Sequence, residues 1–541
     1  MTLPNNFFST QSVLVVDDID TIRSAVKGML QMLGCKEIAV AGNGNRAIEL
    51  CQKTKFDFVL CDFNLGKGKD GYQLFEALKL KTLLKSDTVF IMLSAETTLQ
   101  VVHGLVELQP DDYLLKPFSY KKSESRLVKA LSKRKILGAI YDAFAQHDYQ
   151  KALVECTNVT QSNSQYALVI MRIKGEILLR LKKPQLALKL YQSILENRDL
   201  SWAKLGKAIA YYYLSDYEKS SELLAQLCEL KETRIEALNW LASIYAQNKN
   251  YSQAQQILIE SVKLSPKNIP RQRALANISL LEHDHDMALR CFKGLLENTR
   301  FSVHENIDHH FNYIHCLLDT AKGRNQLQQA KIFSQAQPIV KSAAQIFDKK
   351  KCATLEKIVS ARIFTFIGEL KEAIKLLNSC DHKMVIDCGS NSGIALANAW
   401  FDCGYYEKYR KILTLIPSPN QSNDIDEMSE FLLFKKDYSE HERKIIQLSK
   451  LNKHGLQLYK NGLYPAATSL FLEAHKILPN HFQTSFCLAQ SMVKGWPTTE
   501  SFSTKKTMVG QCISVIESEV RDGDIKDKYT IFEKELKAIY M

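Results

Sequence analysis

The sequence predicts a chain in two parts: an α/β doubly wound domain on a five-stranded parallel sheet, then an all-α superhelix of paired helices. Three observations predict it. Short apolar runs alternate with helical patterns through residues 1–120. No such alternation returns after Pro117. From there on, small residues recur at spacings of 35, 33, 34 and 34.

The runs of the first part are "SVLVV" (12–16), "EIAV" (37–40), "FDFVLC" (56–61), "TVFIMLS" (88–94) and "DYLLK" (112–116). Helical patterns lie between them, such as "TIRSAVKGMLQML" (21–33) and "GYQLFEALKLKTLL" (71–84). Short continuous apolar strands bounded by helices mark a parallel sheet covered on both faces. Chemistry in such folds gathers at the carboxyl ends of the strands.

Reading those ends in order gives Asp17 and Asp18, Asp62, Ser94, and Lys116 followed by Pro117. Either adjacent aspartate, or Asp20, has an alternative use as a cap for the first helix. Three carboxylates at one edge, however, repel each other unless a cation sits among them, and hard oxygen ligands suit Mg²⁺. A hydroxyl and a lysine beside them suit the oxygens of a phosphoryl group, which makes a carboxylate the acceptor.

With those residues in place, residues 12–120 resemble the receiver domain of bacterial two-component response regulators, through "VVDD", "LCDF", "MLSA" and "DYLLKPF". The resemblance implies that Asp62 is the phosphoacceptor and that Asp17, Asp18 and Asp62 hold Mg²⁺ with the backbone carbonyl of Asn64. It implies Ser94 and Tyr113 as switch residues, Lys116 as the phosphate contact and a cis bond before Pro117. Asn64 and Glu96 fall where receivers tune phosphoaspartate lifetime. One departure stands out: "DFNLGKGKDG" (62–71) has Gly66 where most receivers have proline, and its Asp70-Gly71 pair comes one residue late.

The second part superimposes on itself without a gap, "LNWLASIYAQNKNYSQAQQILIESVKLSP" (238–266) on "LNKHGLQLYKNGLYPAATSLFLEAHKILP" (451–479). Small residues let paired helices approach, large ones fill the gaps and proline stops the second helix. The small position opening each second helix recurs at Ala152, Ala187, Ser220, Ala254, Ala288, Ala373 and Ala467, with Tyr409 an irregular member. This pattern resembles the tetratricopeptide repeat (TPR). The expected domains are a receiver over 1–125, repeat blocks over 126–300 and 351–480, an irregular helical segment over 301–350, and capping helices over 481–541. "IPSPNQSNDIDEMSE" (416–430) reads as a loop. Arg273 and Asn277 read as a solvated polar face, and Trp202, Tyr212 and Tyr213 as core aromatics. His304, His309, His310 and His315 lack the i,i+4 pairing of a helix-borne metal site.

The net charge is +12, but the excess is spread thinly, and nucleic acid is not the expected partner. The first residues lack a charged lead and a sustained apolar run, and no apolar run is long enough to span a bilayer, so a cytoplasmic protein without membrane insertion is expected. The 13 cysteines, without CxxC pairs, read as reduced core residues. The combined reading is a response regulator, not an enzyme beyond its own phosphoryl transfer and dephosphorylation. A histidine kinase or phosphotransfer protein phosphorylates Asp62 with Mg²⁺, and the repeats bind a protein partner in response. The competing readings are a phosphate sink or kinase modulator, and a constitutive repeat scaffold with RNA among its ligands.

Overall fold

The computed structural model describes residues 7–85, 87–95, 107, 110–162, 164–419, 421–498 and 501–519. Glu96 lies outside them, with the rest of 96–106, 108 and 109, as do residues 520–541 of the expected cap. The chain divides into two compact units. The first holds the described residues up to Ile278, with Gly294–Glu305 and Ser422–Asp426. The second holds Ser279–Lys293, Asn306–Gln421 and the described residues from Glu427 on.

In the first unit five strands, β1 (Ser12–Val16), β2 (Glu37–Ala41), β3 (Phe58–Asp62), β4 (Val89–Ser94) and β5 (Asp112–Leu115), form one sheet in the order β2-β1-β3-β4-β5. All neighbours are parallel, in registers such as Val16↔Cys61 and Asp62↔Leu93. β1, β3 and β4 are buried along their whole length, which is why they are written as continuous apolar runs. Helices α2 (Gly44–Lys53) and α3 (Gly71–Leu80) cover one face through Ala47, Leu74 and Phe75. Helix α1 (Asp20–Met32) and the helix Tyr120–Ala145 cover the other through Leu30 and Leu127.

Tyr120–Ala145 runs unbroken for 26 residues and then packs on Tyr149–Ser162 as the first hairpin. The expected boundary at 125 therefore falls inside a helix, so sheet and array share a rigid element. The sequence agrees with this: "KKSESRLVKALSKRKILGAIYDAF" (121–144) has no Gly- or Pro-rich linker, and its helical pattern runs on toward the first repeat.

The hairpins turn by a common device. The residue five before each small position is in the left-handed region, His147, Lys182, Ser215, Lys249, His283, Gly368 and Gly462, and so is Gly404, five before the irregular Tyr409. The turn is a Schellman closure; Lys183 N–H reaches Leu178 O (2.9 Å) and Lys182 N–H reaches Leu179 O (3.0 Å). The small residues that follow, from Ala152 to Ala467, are fully buried. Large partners dictate small ones opposite: Tyr191 lies between Gly175 and Gly206, where a β-carbon would come within 2.3 and 2.2 Å of its ring or hydroxyl. Phe471 likewise faces Gly455.

The structure corrects two expectations. The loop read at 416–430 ends at Asp424, because Ile425 opens a 36-residue helix to Lys460 that contains the first helix of the last repeat. Arg273 and Asn277 are not a solvated face. Arg273 grips Asp426, with Nε 2.7 Å from Oδ1, and Asn277 is buried. Tyr212 is buried and packs against Tyr217 and Trp240, as expected of a core aromatic, while Trp202, edge-on to Tyr191, and Tyr213 are half-buried and pack against that core. The 301–350 stretch folds into Ile307–Asp319 and Gln326–Ile346, and the C-terminal part into Phe482–Lys494 and Phe502–Glu519. All 13 cysteines are free.

A left-handed turn residue with a side chain costs about 1 kcal/mol relative to glycine. Lys182→Gly and Lys249→Gly should each raise the thermal unfolding midpoint, and Gly462→Ala should lower it. Gly404→Ala should lower it further, because its methyl would meet the Asn480 carbonyl oxygen at 2.2 Å.

Candidate functional site

The order of the strands puts the switch point of the sheet between β1 and β3, where a ligand crevice opens at the carboxyl ends. Asp17 follows β1 directly and Asp62 ends β3. Asp17 is fully buried, and its Oδ1 accepts the Ile19 N–H at 2.9 Å. One oxygen thus ties down the entry to α1, whose N-cap, Ile19, has no capping side chain of its own. The other, Oδ2, lies 2.7 Å from Lys116 Nζ. The same ammonium lies 2.8 Å from Asp62 Oδ1. Asp17 therefore both braces the first helix and holds a cation.

Asp18 is exposed beside them, and one carboxylate oxygen from each of Asp17, Asp18 and Asp62 lies within 4.8 Å of the others. Burial pushes the Asp62 carboxyl above its ordinary range, with Lys116 pulling against this and Asp17 adding to it. Burial lowers the Lys116 ammonium, but its contacts with Asp17 and Asp62 prevail and raise it. The pocket thus carries more negative charge than one lysine neutralises. An all-oxygen carboxylate set with one member open to solvent fits Mg²⁺. Among the described residues this is the one cluster of three or more metal-capable side chains, and the four histidines at 304–315 form none.

The other expected residues gather at the same edge. Ser94 ends β4 and is buried, and its carbonyl accepts the Lys116 N–H at 2.8 Å. The Lys116–Pro117 bond is cis. Tyr113 sits on β5 beside Met92, half-buried against the core of the α2–α3 face. Asn64 is exposed in the loop after Asp62.

Two glycines belong to the site although they carry no chemistry. Gly66 has φ +67, a conformation proline cannot take, and its place against Asp18 leaves only 2.8 Å between a β-carbon and Oδ2. The departure from proline is therefore a different loop path, not a neutral exchange. Gly71 opens α3 directly on the acceptor, where a β-carbon would lie 2.2 Å from the Asp62 carbonyl oxygen. Asp70 caps α3 in a capping box with Gln73, which sets where that glycine falls. The Asp70-Gly71 pair was the sequence signal for this contact; nothing marked Gly66 as touching Asp18.

Fold and pocket together define a receiver domain. Residues 13–131 match the response regulator receiver domain family, and residues 134–283 match a family described as Psidin, N-terminal TPR repeats region. The chain is 31% identical over 117 residues to the chemotaxis protein CheY-3 of Vibrio cholerae, covering 88% of that protein and 22% of this one. It is 35% identical over 120 residues to the probable transcriptional regulator ycf27 of Cyanidium caldarium, of which it spans only 45%. A solved structure of Vibrio cholerae CheY4 is 28% identical, covering 98% of that chain and 22% of this one, with a TM-score of 0.21. Through its N-terminal domain the chain belongs to the response regulator receiver family, and it continues into a TPR-like helical region.

Calorimetric titration of the full chain with Mg²⁺ should show one site, weakened at least tenfold by Asp17→Asn or Asp62→Asn. Because the folded Asp62 carboxyl takes its proton at a higher pH than a surface aspartate, Mg²⁺ affinity should begin to fall at a correspondingly higher pH on acidification. In the metal-free chain the sign reverses: this group favours folding more as the pH falls from neutral. Gly71→Ala should cost about 1–3 kcal/mol in stability by overpacking the acceptor strand.

Proposed function

We propose that the chain is a two-component response regulator phosphorylated on Asp62 by a histidine kinase or phosphotransfer protein, and that its repeat array binds a protein partner according to that state. The observation that carries the reading is the Asp62 carboxylate held 2.8 Å from Lys116 inside a three-aspartate pocket. One Asp62 oxygen attacks the phosphorus of a phosphohistidine; the O–P bond forms as the P–N bond breaks, and the freed imidazole takes up a proton. Asp17, Asp18 and the Asn64 carbonyl would hold Mg²⁺, which when bound neutralises charge on the phosphoryl oxygens. Lys116 exchanges its Asp62 contact for a phosphoryl oxygen. Ser94 donates its hydroxyl to another, and Tyr113 moves toward the space that Ser94 leaves.

The face around β5 and the start of Tyr120–Ala145 then shifts, and that helix continues into the first hairpin. A movement at one end of a rigid helix reaches the array without a linker to absorb it. Stacked hairpins present a groove suited to a peptide or helix of another protein. The chain's own covalent chemistry, in this reading, is limited to gaining and losing the phosphoryl group. No helix among the described residues is long and apolar enough to cross a membrane, which supports, in this reading, a place in the cytoplasm beside the kinase.

Incubation with a radiolabelled phosphodonor and Mg²⁺ should label wild type but not Asp62→Ala, in an alkali- and hydroxylamine-labile linkage. Pull-downs with wild type in Mg²⁺ and beryllofluoride, and with Asp62→Ala, should retain different partners. Identical partner sets would show that phosphorylation does not gate the array.

A further inference from the structure

The first compact unit contains a contact that the sequence did not announce. Two short segments of the array, Ser265–Arg271 and Asn298–His304, lie against the receiver at the loop after Asp62 and along α3. Lys267 Nζ is 2.6 Å from Asp70 Oδ2 and 5.1 Å from the centroid of the Phe63 ring, the residue next to the acceptor. Gln73 Nε2 donates to the carbonyls of Asn298 and Arg300, both at 3.2 Å. One turn further on, Glu76 Oε1 meets His304 Nε2 at 3.3 Å. Val303 packs on the receiver core itself.

Two features mark the contact as built. Phe301, whose carbonyl accepts from Lys69, has φ +66, a left-handed conformation that a bulky residue adopts only when its surroundings hold it there. Arg271 is buried at 2% exposure and pairs with Glu107, which also accepts from Ser265 Oγ at 2.7 Å. A charge of that kind is kept out of water only where a partner is fixed in place.

The loop from Asp62 to Gly71 is thus held at both ends. Its near end forms the acidic pocket; its far end, Lys69 and Asp70, is held by the array. Between them Gly66 and Gly68, at φ +67 and +107, are the pliable points. The loop lies so close on Asp18 that a β-carbon at Gly66 would be 2.8 Å from Oδ2. A phosphoryl group joined to Asp62 adds bulk and negative charge at the near end of this loop. Lifting the loop pulls on Lys69 and Asp70, and Gly71 transmits the movement because α3 begins against the Asp62 carbonyl.

Resting on the reading of Asp62 as phosphoacceptor, we infer that the Ser265–Arg271 and Asn298–His304 segments form an intramolecular clamp on the acceptor loop, closed in the unphosphorylated chain and released by phosphorylation. The coupling is reciprocal: a chain with a weakened clamp takes up a phosphoryl group or its mimic more readily. Release frees those two segments for a partner, a second route to the array beside the shared helix.

The test is amide hydrogen exchange of the full chain with and without Mg²⁺ and beryllofluoride, alongside fluorine NMR to register beryllofluoride binding. Amides in 265–271 and 298–304 should exchange faster on binding. Lys267→Glu, which sets two carboxylates together, and the milder Gln73→Ala should show faster exchange already without the mimic. Both should bind beryllofluoride about fivefold or more tighter, and Lys267→Arg should behave as wild type. Unchanged or slower exchange in these segments while beryllofluoride binds would overturn the clamp and leave the phosphoacceptor intact. No binding of beryllofluoride and no labelling of Asp62 would overturn both.

Discussion

The receiver depends on one electrostatic constraint. Asp17 and Asp62 are carboxylates withdrawn from water at adjacent strand ends, and they need a cation between them. Lys116 supplies it from the far side of the sheet, 2.7 and 2.8 Å from the two. To reach that position β5 must lie beside β4, with the Lys116 N–H bound to Ser94 O, and β1 beside β3. Strand order and charge balance are therefore the same requirement seen at two scales. The lysine that stabilises the resting pocket is also the group best placed to meet new negative charge on Asp62.

The array answers a different constraint, the close approach of paired helices. Eight hairpins turn through one left-handed residue, and in seven of them a small side chain is buried five residues later, Tyr409 holding that place in the other, so the period is set by backbone geometry as much as by packing. The first five turns use His, Lys or Ser, and the last three use glycine. Stability is thus distributed unevenly along the array. Where a large aromatic such as Tyr191 or Phe471 fills the gap, the facing helix carries glycine; elsewhere alanine is enough. The repeat tolerates exchange of size between partners but not a gain in both.

Much of the pocket was legible in the sequence, because strand ends announce themselves: an apolar run stops and a polar residue follows. Asp17, Asp62, Ser94 and Lys116 were found that way and converge as the strand order requires. Bracing α1 and holding a cation read as alternatives for the adjacent aspartates, and only the structure shows Asp17 doing both, one oxygen for each. Gly66 showed as a departure, but its contact with Asp18 depends on how the loop folds back. Arg273 read as solvated because its partner, Asp426, is 153 residues away.

The sequence by itself determined the alternation of strand and helix, the polar groups at the strand ends and the 34-residue beat of the hairpins, because each is carried by near neighbours or by a period. Only the tertiary structure decided that Lys267 meets Asp70, Gln73 meets Asn298 and Glu76 meets His304, across separations of 197, 225 and 228 residues. The physical reason is that a contact made once, between distant surfaces, leaves no period and no local propensity in the chain. It exists only where hairpin stacking has brought one edge of the array against the loop that carries Asp62.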